Sequence, residues 1–143
     1  MITRLRLPLA AIALGLVLSA EKCADNKTAM TSLGNTRWDL RSLAGKAIEL
    51  PAERRTPYLT LNTDSSEVSG FGGCNTLRGG IKLHGTALSF DQVMSTKMYC
   101  ENVQPIENGL LDALHKTTGY KLDGNTLTLL GGSQELATLV KHP

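Results

Sequence analysis

Short alternations of apolar and polar residues dominate this chain from Asn35 onward. Apolar residues recur at every second position in several short runs, a spacing typical of half-buried β-strands. Turn sequences such as His84-Gly85 and Asp123-Gly124-Asn125 separate neighbouring runs. The apolar positions that carry the alternation are Trp38, Leu40, Leu59, Leu61, Val68, Phe71, Ile81, Leu83, Leu88, Phe90, Leu122, Leu127 and Leu129, and the last run is Leu136–Val140. The pattern predicts about seven or eight strands.

So many strands in 143 residues would leave long exposed edges if they formed one flat sheet. Curling into a barrel-like or sandwich form removes those edges. We therefore predict an α+β, predominantly β fold, in which a small barrel-like antiparallel sheet carries one packed helix.

The helix is predicted from about Pro105 to Thr117. Proline suits a first helical turn, and Gly119 follows the expected end. The apolar stripe is formed by Ile106, Leu110, Leu111 and Leu114. We expect Leu110 and Leu114 to face the sheet, and Glu107 and Asp112, off the stripe, to contribute little to stability.

The N-terminus has the pattern of a secretory signal peptide over residues 1–20. Arg4 and Arg6 precede the apolar stretch Leu7–Leu18, which is too short to span a bilayer, and Leu18-Ser19-Ala20 offers small residues for cleavage. Polar residues 21–33 are predicted to be a flexible linker, and residues 34–141 the folded domain. The expected location is therefore outside the cytoplasm, in the periplasm or the outer-membrane-associated cell envelope.

Cys23 raises the question of a lipid anchor. A cysteine shortly after the apolar stretch is a candidate site of lipidation, but Glu21 and Lys22 stand where small residues normally precede a lipidated cysteine. The alternative is a free thiol in the linker of a soluble periplasmic protein. Lipidation at Cys23 is the only membrane association that the sequence predicts.

The charge pattern argues against nucleic-acid binding. The formal net charge of +2 includes Arg4 and Arg6, so removal of residues 1–20 leaves a chain of zero formal charge. Arg54-Arg55 is an isolated pair without a basic helix face or neighbouring stacked aromatics, and we expect it in a solvated loop.

Cys74 and Cys100 are the chemically most suggestive residues. An oxidising envelope favours a disulfide between them, while a nucleophilic role for either would need a nearby base. The cysteines and the histidines His84, His115 and His142 show no C-x-x-C or H-x-x-x-H spacing, so neither a metal nor another cofactor is predicted.

Three further features lie near these cysteines. Gly70-x-Gly72-Gly73 lies between strands and precedes no helix, which favours a bulge or a close strand approach over a phosphate-binding loop. Asn75 is expected to cap a turn, with a binding role as the alternative. Lys97 is the only charged residue from Val93 to Cys100, which makes it a candidate for an exposed contact.

These segments together resemble a known family, the META domain of HslJ-like bacterial envelope proteins. The resemblance covers about residues 33–140, and one departure is Leu77, where many members have an aromatic residue shortly after Gly-Cys-Asn. It is carried by Trp38-x-Leu40, Val68-Ser69-Gly70-x-Gly72-Gly73-Cys74-Asn75, Thr96-x-Met98-x-Cys100 and Tyr120-x-Leu122-x-Gly124-x-Thr126-Leu127-x-Leu129. It implies an exported barrel-like domain with a packed helix, often lipid-anchored and linked to heat or stress responses, without an established enzymatic activity.

Two functions fit these observations. The first is a non-enzymatic envelope protein that binds another envelope component. The second is a small barrel that holds a lipid or other apolar molecule, which would require a cavity lined by Leu110, Leu114, Phe90 and Leu129. Hydrolysis ranks third, because it would need His84 or His115 to approach a cysteine or a carboxylate.

Overall fold

The structure, a computed structural model, describes residues 32–143. The predicted signal peptide, almost all of the predicted linker and Cys23 lie outside the described residues. Within them the chain forms nine strands and one helix: β1 (Thr36–Leu43), β2 (Lys46–Ala47), β3 (Tyr58–Asn62), β4 (Glu67–Phe71), β5 (Thr76–His84), β6 (Ala87–Ser95), α1 (Gln104–Lys116), β7 (Gly119–Asp123), β8 (Thr126–Gly131) and β9 (Gln134–Lys141).

All strands belong to one antiparallel sheet that closes in a ring. The strand order is β2-β1-β3-β4-β5-β6-β7-β8-β9, and β1 also pairs with β9 from Trp38↔Lys141 to Leu43↔Ala137. Among residues 32–143, the short strand β2 pairs with the end of β1 alone and extends the sheet beside it. The predicted fold class is confirmed. The strand β2 was not predicted, because its two residues are too few to show an alternation of apolar and polar positions.

The ring is weakest between β6 and β7, where Ala87↔Gly119 is the only pair in the described register. The helix α1 lies between these strands in sequence and packs against β6, β1, β8 and β9. It passes close to β1, since a Cβ at Gly109 would lie 2.9 Å from Leu43 Cδ1.

The core lies between the inward faces of the strands and α1. Leu110 and Leu114 are 0% exposed, as predicted, and they belong to the same core cluster as Phe90 and Leu129. The placement of Glu107 off the buried face of the helix was wrong, because this residue is also buried, at 2% exposure. Within residues 32–143, no helix has the length and hydropathy needed to cross a membrane.

A cluster on the outer face holds the C-terminus against β1. The half-buried Arg37 donates from Nε to Asp39 Oδ1 at 2.8 Å, and His142 Nδ1 lies 2.6 Å from Asp39 Oδ2. Burial raises the pKa of Asp39, but the hydrogen bonds from His142 and Arg37 outweigh that effect and hold the pKa below its ordinary value. The carboxylate thus joins the first strand of the ring to the residue that follows the last strand.

Two arginines stack on aromatic rings beside this cluster. The guanidinium of Arg37 lies 4.0 Å from the centre of the Tyr58 ring, and that of Arg55 lies 4.2 Å from the centre of the Phe71 ring. Such contacts contribute roughly 0.5–1 kcal/mol at exposed sites. Arg55 is exposed, as expected of the Arg54-Arg55 pair, yet it also attaches its loop to the barrel.

We predict that Leu110→Ala and Leu114→Ala each lower the free energy of unfolding by about 2–5 kcal/mol, since each leaves a cavity in the core. The matched control is Asp112→Ala on the same helix, which removes only an exposed ion pair with Lys116 and should cost less than about 1 kcal/mol. Urea denaturation measures all three. Equal small losses would show that the buried face of α1 is wrongly assigned.

Candidate functional site

Three segments of the chain meet at the first turns of α1. They are the loop between β4 and β5, the segment from Thr96 to Cys100 after β6, and the helix itself. A disulfide joins Cys74 to Cys100, with their Cα atoms 5.6 Å apart, and so links the first two segments as predicted. Both sulfur atoms are occupied by this bond, so neither cysteine offers the thiolate that a nucleophilic role requires.

Asn75 connects the same two segments by hydrogen bonds. Its Oδ1 accepts from Thr96 Oγ1 and from Met98 N, both at 2.8 Å, and its Nδ2 donates to Met98 O at 2.9 Å. The prediction that Asn75 caps a local turn was wrong, because these partners lie more than twenty positions away in the sequence. Its side chain, 2% exposed, serves as a cross-link between segments.

Glu107 ties the helix to the same loop. Its Oε2 accepts from Asn75 N at 2.6 Å and from Cys74 N at 3.1 Å, and its Oε1 accepts from Asn75 Nδ2 at 2.6 Å. A buried carboxylate is tolerated where hydrogen bonds of this kind replace water. Glu107 is therefore a structural residue, contrary to its predicted minor role.

The sequence contained a signal for this role. Val103, Glu107, Leu110 and Leu114 follow one another at helical spacing and are all buried, whereas Ile106 and Leu111 are only half-buried. Glu107 thus occupies a stripe position normally held by an apolar residue. A stripe drawn through all four would have identified it as a buried acid that needs partners.

The glycines of the motif make room for these contacts. A Cβ at Gly72 would lie 2.6 Å from Glu107 Oε2, and one at Gly70 would lie 2.2 Å from the carbonyl oxygen of Tyr58. Gly73 has a φ of 120°, which residues with side chains rarely adopt. The close approach expected at Gly70-x-Gly72-Gly73 is therefore a close approach to β3 and to the helix.

An open cleft of about 210 Å³ lies between the Ser95–Tyr99 segment and α1. Met98 and Tyr99 at its rim are 61% and 79% exposed, and Met94 on β6 is 72% exposed. Lys97 is exposed and forms no ion pair with any residue in the described part of the chain. The cleft is lined by Asn75, Ser95, Thr96, Lys97, Met98, Tyr99, Gln104, Glu107, Asn108 and Leu111.

One of the residues that line this cleft, Gln104, has an unsatisfied polar atom. Gln104 donates from Nε2 to Asn108 Oδ1 at 3.1 Å, while its Oε1 is shielded from solvent and has no hydrogen-bond partner among residues 32–143. An unpaired buried acceptor costs about 1–3 kcal/mol. Sequence reasoning missed Gln104, because nothing in the sequence distinguishes it from an ordinary residue of a first helical turn.

The structure keeps the histidines apart. His84 lies at the turn between β5 and β6, His115 is exposed in the last turn of α1, and His142 contacts Asp39. In the part of the chain that the structure describes, no group of three or more His, Cys, Asp or Glu side chains could hold a metal ion.

The fold and the site define a class, namely a small antiparallel barrel-like domain with one helix fixed to it by a buried acid and a disulfide. The family model of the META domain matches residues 31–143, and the chain belongs to the META domain family.

Solved structures show the same fold. The NMR structure of a protein from Burkholderia xenovorans matches with a TM-score of 0.63 at 26% identity, covering 95% of this chain and 99% of that one. The crystal structure of a DUF4847 family protein from Bacteroides vulgatus matches with a TM-score of 0.56 at 16% identity, covering 80% and 97%. Comparison with curated proteins gave no match. The META domain family is not a known enzyme family, and these structural neighbours do not belong to one.

We predict that Glu107→Ala lowers the free energy of unfolding by at least about 3 kcal/mol, since it leaves three N–H groups without their acceptor. Asp112→Ala is the matched control, because it removes an acid from the exposed face of the same helix. Glu107→Gln should fall between them, as the amide keeps one acceptor oxygen. Guanidinium denaturation gives the order, and a loss for Glu107→Ala no larger than the control's would refute the structural role.

We predict that Cys74→Ser and Cys100→Ser lower stability by similar amounts of about 3–4 kcal/mol, and that the double substitution costs little more than either alone. The reason is that each single change removes the same bond. Thermal melts with and without reductant provide the measurement, and reductant should affect only the unsubstituted chain. Free alkylation of both thiols in the folded, air-exposed protein would contradict the pairing.

Proposed function

We propose that this protein is a non-enzymatic, exported protein of the bacterial cell envelope, linked to stress responses, that acts by binding another envelope component. The observation that carries the proposal is the exposure of two large apolar side chains, Met98 and Tyr99, that line a cleft. Exposed apolar groups that cluster around a cleft are typical of interaction sites.

The contacts that hold this surface in place are consistent with a binding role. The segment that carries Met98 and Tyr99 is held by the Cys74–Cys100 disulfide on one side and by the Asn75 hydrogen bonds on the other. A surface fixed before binding loses little conformational entropy when a partner arrives. The polar network thus holds the exposed segment that carries Met98 and Tyr99 in a fixed position.

The packing of the core supports partner binding over the alternative of an apolar ligand. Leu110, Leu114, Phe90 and Leu129, which would line an internal ligand site, are 0–7% exposed and lie together in the core cluster. The cleft at Lys97 is lined by other residues, and so is a second cleft of about 170 Å³ at the β5–β6 turn beside His84. A ligand between α1 and the sheet would therefore have to displace packed side chains.

Two features support an envelope location. Residues 1–20 have the pattern of a signal peptide, and a structural disulfide persists in an oxidising compartment. Membership of the META domain family links this chain to HslJ-like envelope proteins.

Site-specific photocrosslinking in the native host tests the binding proposal. Tyr99→p-benzoylphenylalanine should give a discrete protein adduct in the envelope fraction, because Tyr99 is 79% exposed beside the cleft. Lys121→p-benzoylphenylalanine, at an exposed position on β7, is the matched control and should give none. If Tyr99 yields no adduct, or only the adducts seen at Lys121, the proposed binding surface is wrong.

Mass spectrometry of protein purified from the native host without reductant tests the location. We expect a chain that begins at or shortly after Glu21, with Cys74 and Cys100 bonded. A diacylated Cys23 at the N-terminus would assign the membrane-anchored form. Recovery of chains that retain Met1 from the cytoplasm would contradict export.

A further inference from the structure

We propose that Met98 is a site of reversible oxidation in the folded protein, and that its conversion to methionine sulfoxide weakens binding at the surface formed by Met98 and Tyr99. The effect on binding rests on the proposed function, whereas the modification itself does not depend on it. Three observations support the site: the position of the reactive sulfur atoms, their exposure, and the way in which the segment around Met98 is held.

The sulfur atoms of the described chain fall into two kinds. Within residues 32–143 they belong to Cys74, Cys100, Met94 and Met98. The two cysteine sulfur atoms are bonded to each other, so neither offers the thiolate that an oxidant attacks. A two-electron oxidant that reaches this part of the protein therefore finds its reactive sulfur atoms at the two methionines.

Both methionines are open to solvent. Met94 is 72% exposed and Met98 is 61% exposed, whereas the core cluster of residues 32–143 contains no methionine. A buried thioether would be shielded from a dissolved oxidant, and its sulfoxide would disrupt the packing around it. Here both oxidation products lie on the surface, where they need no repacking of the core.

The segment that carries Met98 is held by contacts that oxidation leaves intact. Met98 N donates to Asn75 Oδ1 at 2.8 Å, and Met98 O accepts from Asn75 Nδ2 at 2.9 Å. The disulfide between Cys74 and Cys100 holds the end of the same segment. None of these contacts uses the Met98 side chain, so the backbone stays in place when the sulfur gains an oxygen atom.

The reaction is a transfer of one oxygen atom and two electrons. With hydrogen peroxide as the oxidant, the methionine sulfur attacks one peroxide oxygen, and an S–O bond forms as the O–O bond breaks. The proton on the transferred oxygen passes to the departing hydroxide, which leaves as water. A methionine sulfoxide reductase reverses the change with two thiols, which become a disulfide while the oxygen leaves as water.

The product changes the chemistry of the binding surface. A sulfoxide replaces a flexible apolar group with a polar one. At Met98 this places a hydrogen-bond acceptor next to Tyr99 at the cleft, where binding of a partner would bury apolar area. Met94 is equally open to oxidation but is not among the residues that line the cleft. Oxidation of Met94 should therefore leave binding unchanged, which makes it a control within the chain.

Peroxide oxidation of the disulfide-bonded chain, followed by tryptic digestion and mass spectrometry, tests the modification site. Cleavage after Lys82 and Lys97 places Met94 and Met98 on separate peptides. Both should be oxidised in the folded chain within about threefold of their rates in guanidinium, since neither needs an opening of the fold. Leu129→Met, at a position of 0% exposure, is the buried control and should be slowed by about tenfold or more. Protection of Met98 equal to that of this control would refute the site.

Urea denaturation of the oxidised chain separates a surface change from a structural one. The midpoint should equal that of the untreated chain, because the modified side chains are exposed. A midpoint that falls on oxidation, and that Met98→Leu protects, would show that the Met98 side chain supports the fold and would overturn its assignment as a surface switch.

The adduct formed by the Tyr99→p-benzoylphenylalanine chain measures the effect on binding. The purified chain is treated with peroxide, freed of it with catalase, and illuminated with an envelope extract of the native host. Adduct yield should fall about tenfold or more, and a methionine sulfoxide reductase should restore it. In the same background, Met98→Leu keeps an apolar side chain of similar volume and should retain its adduct after peroxide. Met94→Leu should lose the adduct as the unsubstituted chain does.

Three results would contradict the effect on binding. One is an undiminished adduct from a chain whose Met98 is fully oxidised. Another is an equal loss in Met98→Leu, which would assign the effect to another group. The third is the absence of any adduct before oxidation. In that case the proposed binding function is wrong and the effect assigned to Met98 falls with it, while the mass spectra still decide the modification site.

Discussion

The structure depends on the buried carboxylate of Glu107 and the three N–H groups that point at it. Two of these are the consecutive backbone groups of Cys74 and Asn75, an arrangement suited to holding an anion. A buried charge is favourable only while all of its partners are in place. The helix, the loop after β4 and the segment after β6 are therefore expected to become ordered together, since Asn75 in the loop forms hydrogen bonds with both of the other two.

This arrangement shows that most residues of the family motif have a structural role. Gly72, Cys74, Asn75, Thr96 and Cys100 support the site and offer little to a partner, since their functional groups already contact one another or make room for Glu107. In Thr-x-Met-x-Cys the two unspecified positions are 97 and 99, and here both side chains are exposed at the cleft. The motif thus fixes a supporting frame and one exposed residue, Met98, while positions 97 and 99 supply the other exposed side chains of this segment.

The sequence predicted the fold better than the site, for a physical reason. Strand alternation and the Leu110/Leu114 stripe are local patterns. They can be read from the sequence because the positions that become buried carry apolar residues. The partners of Asn75 and Glu107 are polar groups 21 to 33 positions away, and no local periodicity records such pairs. The disulfide was predictable because only cysteine can form it, whereas the single unsatisfied oxygen of Gln104 exists only once the packing around it is known.

The closure of the ring by β1 and β9 has a consequence for the order of assembly. Asp39 and Val140 are direct neighbours across these strands, yet about one hundred residues separate them in the chain. One side of β1 remains without its partner until the last strand has been synthesised, so its apolar residues Trp38 and Leu40 must stay uncovered or transiently shielded until then. Contacts of such high sequence separation form slowly. A ribosome stalled before β9 would therefore hold a sheet with an unpaired edge, a form open to capture by a chaperone or by another unfinished chain.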